Sequence, residues 1–282
     1  MATFFNQATL SYSGGTVSSN VTTGELVEVL SVTKTAVVDN YTQGDEITYA
    51  INLINTGATA LTGLTLTDDL GAYPFGTETL YPLEYVAGSV KFFADGVLQP
   101  APDVTAGPPL VIDGISVPAS GVTTVLYTVR TNGYASPIGT GEIVNTATIT
   151  GGATTVEASE TITAAQAPSL SITKAINPAT VSENGELTYT FVIQNSGNTA
   201  ATAADAIVVT DTFDPILSGI TVTYNGTAWT SPANYTYTEA TGEFATVAGQ
   251  ITVPAATYAQ DPVTGLWSVT PGEATLTVTG TV

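Results

Sequence analysis

Five short motifs occur twice in this chain of 282 residues, in the same order and at a long spacing. The motifs, each followed by its later copy, are LSVTK at 30–34 and LSITK at 170–174, GDEITYAINLINTG at 44–57 and NGELTYTFVIQNSG at 184–197, LTLTD at 64–68 and IVVTD at 207–211, ISVPA at 115–119 and ITVPA at 251–255, and TVLYTVRT at 124–131 and ATLTVTGT at 274–281. Such a long internal period indicates duplicated modules. We therefore predict an N-terminal arm and linker at 1–29, a first domain at 30–169 and a second at 170–282.

The alternation of apolar and polar residues predicts that both modules are all-β. The segments ITYAINLI at 47–54 and LTYTFVI at 187–193 alternate with a period of two, as half-buried strands do. The turn signals NTG and NSG follow these segments directly. Each domain is long enough to bury a core of its own. We predict two tandem immunoglobulin-like β-sandwich domains.

The composition excludes several classes of function. The chain has no cysteine and no histidine, which excludes disulfides, Ser-His-Asp and Cys-His catalysis, and histidine-based metal sites. Four basic residues against 24 acidic ones argue against a nucleic acid or an anionic membrane as partner. No apolar run approaches the length of a membrane span, so membrane insertion is not expected. We predict no metal, no cofactor and no enzymatic activity on a substrate.

The two ends of the chain differ in a way that predicts self-assembly. Residues 5–10, FNQATL, are similar to residues 144–149, VNTATI, which form the closing strand of the first domain. The second repeat stops at Val282 without a similar segment. We therefore expect the arm to donate a strand to the second domain of a neighbouring subunit, with residues 14–29 as the linker. This donor strand would present one face, formed by Phe4, Asn6, Ala8 and Leu10.

Charged and amide side chains are predicted to face the cores. Side chains alternate along a strand, so Lys34 shares a face with Leu30 and Val32. The other inward-facing sets, by the same parity, are Leu64, Leu66 and Asp68; Ile143, Asn145, Ala147 and Ile149; Leu170, Ile172 and Lys174; and Ile207, Val209 and Asp211. The first core therefore receives a lysine, an aspartate and an asparagine.

Two interpretations of these buried groups remain open. The first is a Lys–Asp ion pair with an amide neighbour, although desolvation makes such pairs costly. The second is a spontaneous Lys–Asn isopeptide bond, in which burial favours a neutral, nucleophilic amine and a protonated acid that moves protons. Under the second interpretation Asp68 and Asp211 are the catalytic acids. Glu46 and Glu186 fall on the opposite parity and are weaker candidates.

The order of these motifs resembles a family of bacterial and archaeal surface repeats, known as domain of unknown function 11. The shared features are the lysine-containing first strand, the Asn-Thr-Gly turn, the Thr-Asp strand end and the closing Asn-Thr-Ala strand. The resemblance covers nearly the whole chain after residue 29. It implies an extracellular repeat module in which Lys34 is crosslinked to Asn145, and in which Lys174 lacks a partner in its own domain.

The position of Asn6 suggests the missing partner. Asn6 stands in FNQAT where Asn145 stands in VNTAT, so we expect Asn6 of one subunit to face Lys174 of the next. Asp211 would then take the role of Asp68, and the joint between subunits would be covalent. A register shift of one residue would present Gln7 instead.

We predict a structural subunit that polymerises head to tail into an extracellular filament or a spore or cell-surface appendage. Its partner is itself, with possible anchor or tip proteins of unknown identity. Delivery to the surface would follow removal of a leader, or deposition onto a spore from inside a mother cell. The alternative is an adhesive or ligand-binding segment of a larger surface protein. Tyr224, Trp229, Tyr235 and Tyr237 could line a sugar platform, or could simply pack the core.

Overall fold

The computed structural model describes residues 2–26, 29–152 and 154–282, and their regular structure is almost entirely β. The predicted all-β class is confirmed. Within the described residues the one helical element is a short 3-10 helix at Ala203–Asp205. The chain divides into two compact units, one of Met1–Ala135 and Glu142–Ile162, the other of Ser136–Gly141 and Thr163–Val282. Unit 1 thus includes the N-terminal arm and most of the first repeat.

Eighteen strands precede residue 165 in the described part of the chain. They are β1 Ala2–Asn6, β2 Thr9–Tyr12, β3 Gly15–Ser18, β4 Thr22–Leu26, β5 Leu30–Ala36, β6 Asn40–Tyr41, β7 Glu46–Asn55, β8 Leu61–Asp68, β9 Tyr73–Phe75, β10 Glu78–Leu80, β11 Leu83–Tyr85, β12 Lys91–Ala94, β13 Val97–Leu98, β14 Asp103–Thr105, β15 Leu110–Val117, β16 Val122–Thr131, β17 Glu142–Gly151 and β18 Thr154–Ala164.

Two sheets form the body of unit 1. One has the order β13-β12-β16-β7-β5, with β11 also paired to β16, and the other has the order β14-β15-β8-β17-β18-β6. The side chains that alternate inward from β7, β8, β15, β16 and β17 are buried and fill the space between the sheets. This is the sandwich that the period-two pattern predicts. Strand β8 is central, because it pairs with β15 on one side and β17 on the other.

Ten further strands follow in the second repeat. They are β19 Leu170–Asn177, β20 Glu186–Asn195, β21 Thr210–Thr212, β22 Ser218–Tyr224, β23 Thr227–Trp229, β24 Tyr235–Thr238, β25 Glu243–Thr246, β26 Thr257–Gln260, β27 Trp267–Thr270 and β28 Gly272–Thr281. The main sheet has the order β19-β20-β28-β22-β23, and a smaller sheet has the order β21-β25-β24. The predicted strand at 207–211 is wrong in its bounds, since only 210–212 are extended and paired.

The two repeats differ in what covers the first strand. In unit 1, β5 alternates buried and exposed side chains, and Leu30 is only 5% exposed. Every side chain of β19 in unit 2 is exposed, including Leu170 at 41%. Strand β21, the counterpart of the end of β8, pairs only with β25 among the described residues. The edge that β17 occupies in unit 1 is therefore unpaired in unit 2.

The register of the sheets corrects one of the sequence matches. Tyr127 lies opposite Tyr49 in unit 1, whereas Val278 lies opposite Tyr189, the counterpart of Tyr49, in unit 2. The counterpart of Tyr127 is thus Val278, and the match of 124–131 with 274–281 is wrong by one residue. The threonine-rich sequence ATLTVTGT gives a weak parity signal, and burial of Leu276 and Val278 settles the register.

The N-terminal arm folds back on itself as a two-stranded ribbon. Strand β1 pairs with β4 and β2 pairs with β3, and the side chains of residues 3–23 are exposed. The predicted donor strand at 4–10 is interrupted at Gln7 and Ala8, between β1 and β2. The predicted linker at 14–29 is wrong at 15–18 and 22–26, because these residues form the two return strands. Residues 27 and 28 lie outside the described residues.

The unequal cover of the first strands predicts unequal costs for matched substitutions. Leu30→Ala should lower the free energy of unfolding of unit 1 by about 2–5 kcal/mol, because it empties a buried site. Leu170→Ala, at the same place in the repeat, should cost unit 2 about 1 kcal/mol or less in the free chain, because Leu170 keeps much of its contact with water. Denaturant titration measures both.

The two tryptophans, Trp229 and Trp267, lie in unit 2 and report its unfolding by fluorescence. Near-ultraviolet circular dichroism reports the tyrosines of both units, so a transition in it that the tryptophan fluorescence does not share belongs to unit 1. An equal loss of unfolding free energy in Leu30→Ala and Leu170→Ala would contradict the difference in burial between these two side chains.

Candidate functional site

Lys34 carries a buried amine into the core of unit 1. Its strand, β5, alternates in and out from Leu30, so Lys34 falls on the inner face as the parity predicts. Its Nζ lies 2.6 Å from Asp68 Oδ2, and both side chains are fully buried. The same Nζ lies 4.7 Å from the centre of the Tyr49 ring. The amine therefore lies against one carboxylate and one aromatic face.

Asp68 is held at the end of β8 by three donors. Its Oδ2 accepts hydrogen bonds from Lys34 and from the hydroxyl of Tyr127, and its Oδ1 accepts one from the backbone N–H of Leu70 at 3.0 Å. The inward parity of β16 places Tyr127 under β8, between Val125 and Val129. Three hydrogen bonds to one buried carboxylate fix its orientation.

Asn145 reaches the same core from β17. Strand β17 pairs with β8 so that Ala147 lies opposite Asp68, and Asn145 lies two residues away on the same face. Asn145 Oδ1 accepts a hydrogen bond from the backbone N–H of Gly71 at 3.2 Å. Its Nδ2 and the Tyr49 hydroxyl are buried, and neither has a hydrogen-bond partner among the described residues.

Burial shifts the pKa values of the groups around Asp68. Desolvation lowers the pKa of Lys34, and the nearby charge of Asp68 only partly opposes that effect. Desolvation raises the pKa of Tyr127, and the charge of Asp68 adds to the rise. The pKa of Tyr49 is also raised by burial, an effect moderated by the side chain of Asn145. These shifts favour a neutral amine at Lys34 and protonated tyrosines.

The groups gathered here are those that an amide-transfer reaction needs. An amine with a lowered pKa is a nucleophile, and a neighbouring carboxylate can accept its proton. The N–H of Gly71 polarises the carbonyl of Asn145 and would stabilise negative charge on its oxygen. In the part of the chain that the structure describes, no cluster of three or more metal-ligating side chains is found.

The corresponding groups of unit 2 are open to water. Lys174 Nζ contacts Asp211 Oδ2, but the side chains are 40% and 18% exposed. The amine lies 4.3 Å from the ring centre of Tyr189, and the rings of Phe191 and Phe213 are at 5.5 and 5.6 Å. No tyrosine stands at the place of Tyr127, which Val278 takes. Unit 2 thus repeats the lysine and the aspartate, but among its described residues it has no counterpart of β17, the strand that carries Asn145 over the same groups in unit 1.

The predicted donor residues lie on the exposed ribbon. Asn6 is opposite Thr22, and its carbonyl oxygen accepts a hydrogen bond from the Thr22 hydroxyl at 3.2 Å. Phe4 and Leu10 are more than half exposed. Ala8 is also exposed, and its backbone pairs with Ser19. These four side chains are therefore accessible to another molecule.

Other candidate residues have structural roles. Tyr224 and Tyr235 are buried in the core of unit 2, with Trp229 and Tyr237 packed against it, so the four do not form an exposed sugar platform. Glu46 pairs with Arg130 on the surface of unit 1 at 2.5 Å. The corresponding Glu186 is exposed.

Sequence reasoning missed Tyr127, Tyr49 and Gly71. A tyrosine hydroxyl on an inward parity position was the available signal for the first two. The role of Gly71 comes from a turn after β8 in which its φ is +69°, a conformation that favours glycine. A Cβ at this position would lie 2.5 Å from Ile143.

Comparisons with solved structures find pilus proteins, collagen-binding domains and two enzymes, all at low similarity. The chain is similar to the pilus backbone protein RrgB of Streptococcus pneumoniae, with 13% identity, a TM-score of 0.35, and coverage of 86% of this chain and 55% of that one. For BcpA, the major pilin subunit of Bacillus cereus, the identity is 12% and the TM-score is 0.35, with coverage of 96% of this chain and 73% of that one. For the collagen-binding domain of a Staphylococcus aureus adhesin, the identity is 12% and the TM-score is 0.31, with coverage of 49% of this chain and 99% of that one.

No family model and no curated protein matches the chain. Its membership of the family it resembles is therefore a hypothesis. Within the described residues, none of the helical structure has the length and apolarity needed to span a bilayer.

The lowered pKa of Lys34 predicts a pH dependence in a chain that keeps the amine free. In Asn145→Ala, the free energy of unfolding of unit 1 should rise with pH between the lowered pKa of the folded Lys34 amine and the ordinary tyrosine pKa of 10.0. The unfolded lysine, with a pKa of 10.5, binds a proton that the folded amine has already released, so higher pH favours the folded state. Above that range the raised pKa values of Tyr49 and Tyr127 reverse the slope.

The matched control is the double variant Lys34→Met/Asn145→Ala, measured by denaturant titration at each pH. In this variant the rise of the unfolding free energy with pH should disappear. The rise can be measured because the chain has no histidine or cysteine to titrate in this range. Equal slopes in the two variants would assign the effect to other groups.

Proposed function

We propose that this protein is the subunit of an extracellular filament, and that each subunit donates residues 4–10 to unit 2 of the next. The observation that carries the proposal is the contrast between the two repeats. Unit 1 covers its lysine and aspartate with a strand that bears Asn145, whereas unit 2 leaves Lys174 and Asp211 open beside an unpaired edge. The arm carries a close copy of the covering strand.

The register of unit 1 specifies how the donated strand would sit. There, Ala147 lies opposite Asp68, Thr148 opposite Thr67 and Ile149 opposite Leu66. The same register in unit 2 places Ala8 opposite Asp211, Thr9 opposite Thr210 and Leu10 opposite Val209. Asn6 then faces the Lys174 site, as Asn145 faces that of Lys34. A shift by one residue would turn Phe4 and Leu10 to solvent, which their burial energy opposes.

Strand addition supplies both affinity and polymer geometry. Burying Phe4 and Leu10 contributes on the order of 3–5 kcal/mol before ordering costs, and backbone hydrogen bonds to β21 add to it. The donor and acceptor are different surfaces of the subunit. Such a heterologous contact produces an open fibre unless the rotation closes a ring. The 24 acidic residues keep neighbouring fibres apart by like charge.

The same geometry supports an isopeptide bond within unit 1 and between subunits. The neutral amine of Lys34 attacks Cγ of Asn145, the new N–C bond forms, and the Cγ–Nδ2 bond breaks. Asp68 takes the proton from the attacking nitrogen and returns it to the leaving nitrogen, which departs as ammonia. No oxidant or cofactor is consumed. Lys174, Asn6 of the neighbour and Asp211 would undergo the same reaction after docking.

The bond in unit 1 predicts a change in mass. The intact mass of the chain, prepared as monomer by deleting residues 2–12, should be one ammonia below that of the sequence. Asp68→Ala should restore the full mass, because the proton carrier is lost, and should lower the unfolding temperature of unit 1. An unmodified mass in the parent chain would leave a buried Lys34–Asp68 ion pair as the account of this site.

The bond between subunits predicts filaments that resist denaturation. Negative-stain microscopy of the full chain should show fibres of repeating globules. These fibres, boiled in detergent, should run on a denaturing gel as a ladder of subunit multiples, even with reductant present. Asn6→Ala and Lys174→Ala should each collapse the ladder to monomer.

Deletion of residues 2–12 is the control for strand donation, since it should abolish fibres while unit 1 stays folded. Fibres from the truncated chain would overturn the assembly scheme. Wild-type fibres that already run as monomer would remove only the covalent joint. Separate particles from the full chain would favour an adhesive segment of a surface protein.

A further inference from the structure

The exposed arm matches two consecutive strands of unit 1, not one. Strand β17 ends at Gly151 and β18 begins at Thr154, while β2 ends at Tyr12 and β3 begins at Gly15. Both turns therefore fall at the same place relative to the shared Asn-x-Ala motif. The arm already has the hairpin form that β17 and β18 have in unit 1.

The pairing across each hairpin is also comparable. In unit 1, Thr146 contacts Ser159 and Thr148 contacts Glu157 across β17 and β18. In the arm, Leu10 pairs with Val17 and Asn6 with Thr22. Between these pairs the return strand has one extra residue at 20–21, which is the pattern of a β-bulge. The donor strand has no insertion, so its inner face keeps its spacing.

One pair of positions shows compensating volumes. The two contacts between β17 and β18, continued along the hairpin, put Ile143 opposite Ile162, and both are buried. At the matching positions the arm has Phe4 opposite Gly24. A Cβ on Gly24 would lie only 2.3 Å from the Phe4 ring, which therefore covers the glycine. At this pair of positions the arm therefore has one large side chain, Phe4, and one glycine, where unit 1 has two isoleucines of intermediate size.

From these matches we propose that the donated element is the whole hairpin of residues 2–26, inserted without opening into unit 2 of a second copy of this chain. The inference rests on the proposed function and specifies its partner surface. The first strand pairs with β21 and places Phe4, Asn6, Ala8 and Leu10 inward. The return strand pairs with the edge of the first strand that faces away from β21, as β18 pairs with the edge of β17 that faces away from β8.

Unit 1 also indicates what the return strand meets. There, β18 pairs with β6 at Asn40–Tyr41, and Tyr41 is buried. The repeat offset places residues 180–181 of unit 2 at the position of β6, and Val181 is already partly buried. A hairpin fills both vacant positions at once. A single strand would leave the second position empty and its own outer edge unpaired.

The test locks the hairpin shut with a disulfide on its outer face. Ser11 and Thr16 face each other with their hydroxyl oxygens 3.5 Å apart, on the side opposite Leu10. Their counterparts in unit 1, Thr150 and Thr155, are exposed, so a bridge here stays out of the joint. Because the chain has no cysteine, Ser11→Cys/Thr16→Cys creates the one possible intrachain disulfide.

The oxidised and reduced forms of this variant are compared by negative-stain microscopy, with Ser11→Cys alone as the control. Hairpin donation predicts filaments from both forms in similar yield. If the reduced form assembles and the oxidised form does not, the return strand must leave the donor, and the proposal is wrong. If neither the wild type nor the reduced form assembles, the proposed function itself fails.

A second pair of variants tests the packing between the two strands. Gly24→Ile should reduce filament yield, because its side chain displaces the Phe4 ring. Phe4→Ile/Gly24→Ile rebuilds the Ile143–Ile162 pair of unit 1 and should restore the yield. If Gly24→Ile leaves assembly unchanged while Phe4→Ala abolishes it, only the first strand enters the joint and the hairpin proposal is overturned.

Discussion

A lysine inside an apolar core is the constraint on which unit 1 depends. Removing the amine from water is costly, and the site offsets this cost with Asp68, the Tyr49 ring and complete cover by β17. Each of these partners comes from a different strand. The site therefore exists only when both sheets are closed over it, which ties the geometry of the groups to the integrity of the sandwich.

Much of this organisation could be predicted from the sequence. The long repeat and the period-two strands predict two all-β modules, and parity alone places Lys34, Asp68 and Asn145 on inward faces. Tyr127 and Gly71 were missed because their contacts with Asp68 and Asn145 depend on pairings across distant strands and on one turn conformation. No local pattern specifies them.

The arm shows where a local signal was misread. Gly14 and Gly15 are predicted to begin the linker at 14–29, yet a two-residue turn followed by alternating residues is also a hairpin signal. In the structure the turn brings two apolar residues of this alternation, Leu10 and Val17, opposite each other on the paired strands. The bulge at residues 20–21 breaks the alternation of the return strand, so its strand character is weak when the sequence is considered alone.

The unequal exposure of the two lysines bears on when each crosslink would form. Under the proposed function the reaction of Lys34 would need no second molecule, because folding of its own unit desolvates the amine. Lys174 remains in contact with water until another strand covers it. Under the proposed function, docking supplies the amide and removes the water in one step, so chemistry at the joint follows correct registration of the donor. A hairpin that docks out of register would bring no asparagine to the amine, and could leave again before any covalent bond fixed the error.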